Sequence, residues 1–153
     1  MAARRRGFSL VEMLIVVVMI GIMLGIGFPK MRTGMINNNV RAARTALINM
    51  IAAARTASSQ TNRTTWMKVE SGRAVVLARP RRDLVNTVNT NADTIGPVQN
   101  LGQVYGVTIT PAPDSFRFNP TLTSLNVVNK TFTITRSGHV EIVAVDGMGR
   151  VIK

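Results

Sequence analysis

Residues 4–29 read "RRRGFSLVEMLIVVVMIGIMLGIGFP", and this stretch decides what the rest of the chain can be. From Phe8 to Phe28 only Ser9 and Glu12 are polar. Wound as a helix at about 1.5 Å per residue, this run rises roughly 30 Å, the thickness of a bilayer's hydrocarbon core. Arginines 4–6 precede the run, which predicts that residues 1–6 stay in the cytoplasm and that the chain beyond it lies outside. Glu12 breaks the pattern. A carboxylate in hydrocarbon costs several kcal/mol unless it is protonated or paired. Glu12 lies one helical turn from Phe8, so a cut between Gly7 and Phe8 would create an α-amino cation able to pair with it, on its own chain or a neighbour's. The positive end of the helix dipole favours an acid at the same place. On composition alone, the following "GIGFPKMRTG" (residues 25–34) leaves an ordinary secretory signal and a plain membrane anchor open as well.

Residues 7–23, "GFSLVEMLIVVVMIGIM", resemble the class III signal of type IV pilins and of the pseudopilins of type II secretion. The resemblance implies that a membrane-embedded prepilin peptidase cuts after Gly7 and methylates the new N-terminal Phe8. It makes Glu12 the assembly acid, which neutralises the terminal amine of a neighbouring subunit, and Pro29 the site of a helix bend. Gly21, Gly25 and Gly27 would ease local melting. The implied layout is a leader at 1–7, a transmembrane and assembly helix at 8–29 and a soluble pilin-like domain at 30–153. The implied place is the bacterial inner membrane, crossed once, with the C-terminal domain periplasmic or extracellular and carried onto a filament or its tip after assembly. Other pilin or pseudopilin subunits are the implied partners.

Beyond Pro29 the period changes. Val40, Leu47, Ile51 and Ala54 recur at helical spacing, with Ala43 and Met50 beside them, which predicts an amphipathic helix over 31–58. Arg41, Arg44 and Arg55 fall beside that stripe, either solvated or facing an acidic groove on another subunit. From Thr64 the alternation has period two. "TTWMKVESGRAVVLARP" (64–80) predicts a hairpin turning at Ser71-Gly72, and "DLVNTVNTNADTIGPVQN" (83–100) a long surface loop. "YGVTIT", "FRFNP" and "KTFTITRSGHVEIVAVDGMGRVIK" supply further strands. Phe132 and Ile134 share a face, turns fall at Ser137-Gly138 and Asp146-Gly147, and Val140, Ile142 and Ala144 or Val145 follow on. The sum is an α+β fold with an antiparallel meander of about five to seven strands over 64–153. The pilin resemblance implies one long N-terminal helix, membrane-spanning in its first half and amphipathic in its second, packed on that C-terminal sheet. The tail, with "FRFNP", a Ser-Gly turn and a closing Gly-Arg, is similar to the H-type minor pseudopilins and FimT-like minor pilins. It departs from them in having "TLTSL" where a Gly-Arg pair often follows the "FNP" element.

Little here suggests catalysis. The 153 residues contain no cysteine and one histidine, His139, and the acids after Glu12 are scattered through turns and strands. His139 and Glu141 share one side of a strand, but no metal-ligand spacing, phosphate loop or nucleophile elbow is present. The reading is therefore a structural subunit without catalytic residues, metal or cofactor. The charge carries a second reading. Lys and Arg outnumber Asp and Glu by 19 to 7, and residues 8–153 still hold 16 basic and 7 acidic groups. Such an excess favours polyanions. Arg79, Arg81 and Arg82 cluster in "ARPRRD", while Arg136, Arg150 and Lys153 sit at turns and ends of the last strands. The FimT-like resemblance associates a C-terminal Gly-Arg-x-Arg element with DNA binding in natural transformation. Here Gly149-Arg150 matches, and Lys153 stands displaced in place of the second arginine. Solvated basic turns are the plainer alternative, and Trp66 and Tyr105 read as core or strand residues rather than stacking platforms.

Overall fold

The computed structural model describes residues 8–78, 92–112, 114–121, 129–147 and 149–152. Helix α1 spans Leu10–Thr61. Residues up to Met35 form one compact unit, and Ile36–Lys153 form a second. The long N-terminal helix expected, with a membrane-spanning half at 8–29 and an amphipathic half at 31–58, is a single helical element with Pro29 inside it. Pro29 brings no amide hydrogen to the Gly25 carbonyl one turn back. One turn ahead, Thr33 donates its hydroxyl to the Pro29 carbonyl at 3.2 Å.

In the second unit, the α1 residues Val40, Ala43, Leu47, Met50, Ile51, Ala54, Ala57 and Ser58 are buried. This is the expected stripe, extended by one turn. The helix ends at Asn62, whose φ of 50° is left-handed, and the Arg63 amide bonds back to the Ser58 carbonyl at 3.3 Å. That six-residue closure satisfies a terminal carbonyl, and asparagine tolerates the left-handed position better than most residues.

Strands β1 (Thr65–Glu70) and β2 (Arg73–Ala78) form the expected hairpin. Ser71 and Gly72 both have positive φ, 49° and 76°, which matches the twist of a tight two-residue turn. Strands β3 (Asp93–Thr94) and β4 (Gln99–Asn100) each pair with β2. Helix α2 (Leu101–Tyr105) follows, with Asn100 accepting the Gln103 amide at 3.1 Å and Gly106 closing it at φ 63°. Strand β5 (Thr108–Thr110) comes next, then β6 (Asp114–Phe118), β7 (Lys130–Arg136) and β8 (His139–Val145). At the tip of the first hairpin Gly72 meets Gly102 backbone to backbone, with the Gly102 amide on the Gly72 carbonyl at 2.9 Å.

Two features differ from the meander expected over 64–153. The described residues hold eight strands, and these fall into two sheets. One has the order β3-β2-β1-β6 with β4 also on β2, and the other is β5-β7-β8. Strand β6 returns to pair with β1 rather than continuing beside β5. Short β3 and β4 also occupy the second half of the stretch expected as loop, where two-residue strands leave no periodicity to detect. The second difference lies in β8. Val140 and Ile142 are exposed, while Val143 and Val145 enter the core. Glu141 shares their inward side because Arg41 and Arg44 of α1 supply its partners.

One core joins these parts. Met67, Val69, Ala74, Val76, Phe116 and Phe118 from the first sheet meet Ile109, Phe132, Ile134, Val143 and Val145 from the second, together with the α1 stripe. The Phe116 and Phe118 ring centroids are 5.1 Å apart and tilted by 49°, a favourable aromatic geometry. The two polar side chains buried with the core find backbone partners. Ser58 donates to the Asn119 carbonyl at 3.0 Å, and Thr65 donates to the Ala54 carbonyl.

Candidate functional site: the N-terminal assembly segment

The first unit is built around the start of α1. The Ser9 carbonyl accepts the Met13 amide at 3.2 Å, and the Ser9 hydroxyl accepts the Val11 amide at 3.3 Å. Ser9 is therefore the helix cap, and it satisfies one of the donors that every helix start leaves open. Glu12 lies three residues later, in the first turn. Serine and glutamate at this spacing form the capping-box pattern, in which the acid faces the open amides of the same turn. The carboxylate consequently sits at the positive end of the helix dipole. Phe8 immediately precedes the cap and is exposed. Gly7, the expected cleavage residue, lies outside the described residues.

From Leu10 the helix is apolar and open on every side. Leu10, Met23 and Phe28 are 88%, 76% and 73% exposed, and nothing lies within 4 Å of the positions a Cβ would take at Gly21, Gly25 or Gly27. This helix is long and apolar enough to cross a membrane. An unpartnered apolar surface of this size favours lipid or other helices over water. Glu12 is the one charge in the run 8–28.

Of the basic residues considered for DNA, Arg136 and Arg150 lie among the described residues. Arg136 is half-buried; its guanidinium donates to the Tyr105 carbonyl at the end of α2 and lies against Gly106. It serves there as a clasp on the last turn of α2. Arg150 is 64% exposed along its side chain and engages Asp146, with Nε 3.1 Å from Oδ2 and the Arg150 amide 2.7 Å from Oδ1. Arg81, Arg82 and Lys153 lie outside the described residues, as does Arg79. Arg41 and Arg44 face an acid of their own chain, with Nε atoms 3.7 Å from the two Glu141 oxygens, and Arg44 also donates to the Ile142 carbonyl at 3.2 Å. Glu141 thus turns to arginines rather than to His139, whose buried Nδ1 finds no hydrogen-bond partner among the described residues.

Sequence reading missed the Ser9 cap, although the Ser-x-x-Glu spacing was there to be read. It also missed the roles of Arg136 and Glu141, which depend on segments far apart in the chain.

The description "Prokaryotic N-terminal methylation motif" matches residues 2–28. The motif implies processing by prepilin peptidase and assembly with other pilins, and together with the apolar helix it is consistent with membrane anchoring. No curated protein and no solved structure matches the chain.

Proposed function

We propose that the chain is a minor pilin or pseudopilin, held in the bacterial inner membrane until it enters a type IV pilus-like or type II secretion filament. The observation that carries this reading is the methylation motif at residues 2–28, in which the apolar run 8–28 has a single charge, Glu12, in the first turn of α1. Peptidase removes residues 1–7 on the cytoplasmic side and methylates Phe8. The freed amine of one subunit then meets Glu12 of another as their apolar helices bundle, and the Ile36–Lys153 unit is displayed outside. No catalytic residue, metal or cofactor enters this role. The H-type or FimT-like subgroup is part of the proposal on the strength of the tail residues alone, "FRFNP" and the closing Gly149-Arg150. N-terminal sequencing and intact mass of the protein from cells test the proposal. The expected start is N-methylated Phe8, whereas a start at Met1 or beyond Pro29 refutes it.

A second reading is a minor pilin that captures DNA for natural transformation. It is favoured by the excess of basic over acidic groups and by the exposed Arg150 near the chain end. Arg150 and Lys153, with Arg81, Arg82 and Arg136, would contact phosphates without regard to sequence, so binding should weaken steeply with salt. Gel shifts of the full chain in detergent across a salt series test it. Loss of binding when Arg150 and Lys153 become alanine is the expected result, and no binding at low salt removes this role.

A further inference from the structure

The outer face of the first sheet carries a groove that neither reading uses. It has a volume of about 430 Å³, within the roughly 300–1,000 Å³ typical of small-molecule sites, and is lined by Trp66, Lys68, Leu77, Asp114, Ser115 and Arg117. Strand register accounts for Trp66, Lys68, Leu77, Ser115 and Arg117, while Asp114 stands opposite the core residue Val69 at the start of β6. Trp66 on β1 is flanked by Leu77 on β2 and Arg117 on β6, and in the next row Lys68 is flanked by Val75 and Ser115. The inner residues of these strands are locked in the core, so the outward side chains stand on a rigid floor. An indole without a place in the core thus lies among a guanidinium, a hydroxyl, a carboxylate and an ammonium.

We propose that this groove binds a neutral carbohydrate, with a sugar ring against Trp66 and its hydroxyls on the surrounding polar groups. The charges argue for this class over a polyanion. Lys68 is paired with Glu70 at 2.7 Å, and Asp114 is paired with Lys130, which also donates to the Ser115 carbonyl at 2.7 Å. The lysine charges are therefore balanced within the chain, and a phosphate or sulfate in the groove would face the Asp114 carboxylate. A sugar hydroxyl both donates and accepts, so it suits a rim that mixes donors and acceptors. The ion pairs and the Ser115 amide on Asp114 at 2.7 Å hold Lys68 and Asp114 in place before any ligand arrives. The aromatic ring offers the sugar's apolar C–H face a surface that ions and water do not contest. The site lies wholly within the Ile36–Lys153 unit and stands independently of the membrane segment.

Trp66 is the only tryptophan in the chain, so its emission reports on the groove directly. The full chain, purified in a phosphocholine detergent to avoid sugar headgroups, is titrated with N-acetylglucosamine tetramer, cellotetraose and maltotetraose. Oligothymidylate and a heparin oligosaccharide are titrated in parallel. The expected result is a saturable change in emission with at least one neutral oligosaccharide, unaltered between about 50 and 200 mM salt. Arg117→Ala should raise the half-saturation concentration about tenfold with the far-ultraviolet circular dichroism unchanged, and Ser115→Ala should act in the same direction if Arg117→Ala does not fold. Three results would overturn the proposal: no response to any neutral sugar, a response indifferent to these substitutions, or a response confined to the two polyanions.

Discussion

Gly149 lies directly against the ring of Phe118, with the position a Cβ would occupy falling inside the ring's contact distance of Cε1. Gly149 also has a φ of 77°, in the left-handed region, and its amide closes a turn onto the Asp146 carbonyl at 2.9 Å. Two conditions therefore select glycine here, one of backbone shape and one of space. The Gly-Arg element near the chain end is in this protein a packing element, which puts Arg150 at the rim of the core beside Asp146.

Gly149→Ala should accordingly destabilise the fold by about 2–4 kcal/mol, combining left-handed strain with overpacking against Phe118. A lower midpoint in denaturant-induced unfolding of the detergent-solubilised chain is the readout. A midpoint within error of wild type would mean that the turn relaxes away from the ring.

At the other end of the chain, Glu12→Gln keeps the shape of the side chain and removes its charge. Leader removal should continue, because the cut lies before Phe8, while entry into filaments should fall severalfold. Cell fractionation with intact mass separates these two effects. Unchanged filament entry would deny Glu12 its role as counterion.

The clamp of Arg41 and Arg44 on Glu141 should contribute little to stability despite its tidy geometry. About a third of the Glu141 and Arg44 side chains is exposed, and solvent screens such pairs. A double-mutant cycle with Arg44→Ala and Glu141→Ala should give a coupling of about 0.2–1 kcal/mol. A much larger value would place the pair in drier surroundings than the fold describes.

Glu70 offers a test of charge at the first hairpin. The hydrogen bond and charge of Lys68, with a smaller contribution from Arg73, hold its carboxyl below the ordinary value of 4.5. A lowered acid stabilises the folded state above its unfolded pKa, and that contribution is lost as pH falls through the folded value. Lys68→Ala should move the Glu70 titration, followed by carboxyl carbon NMR shifts, back up toward 4.5. No movement would show that Lys68 is not the cause.

The α1 stripe, the first hairpin and the Ser137-Gly138 turn could be read from the sequence because each depends on neighbours within a few positions. Serine before glycine marks both tight turns, and Phe132 with Ile134 marks the inner face of β7. The division into two sheets was not legible. It depends on β6 finding β1 some fifty residues back in the chain, and nothing local distinguishes that pairing from one with β5. The exposure of Val140 and Ile142 escaped for a related reason. Alternation in "HVEIVAV" allows either face, and the choice rests on arginines of α1. Near the N-terminus the capped start of α1 was legible in Ser9 and Glu12, while the clasp of Arg136 on α2 required a short helix that carries almost no periodic signal.

The bare crossing of Gly72 over Gly102 has a practical corollary for anyone wishing to graft an epitope or fluorophore onto this protein. Hairpin tips are ordinarily the most forgiving places for insertions. Here Gly72 at the tip packs against Gly102 of α2, so an insertion would have to break that contact. The Ser137-Gly138 tip, where a Cβ on the glycine meets nothing within 4 Å, is the better point of attachment.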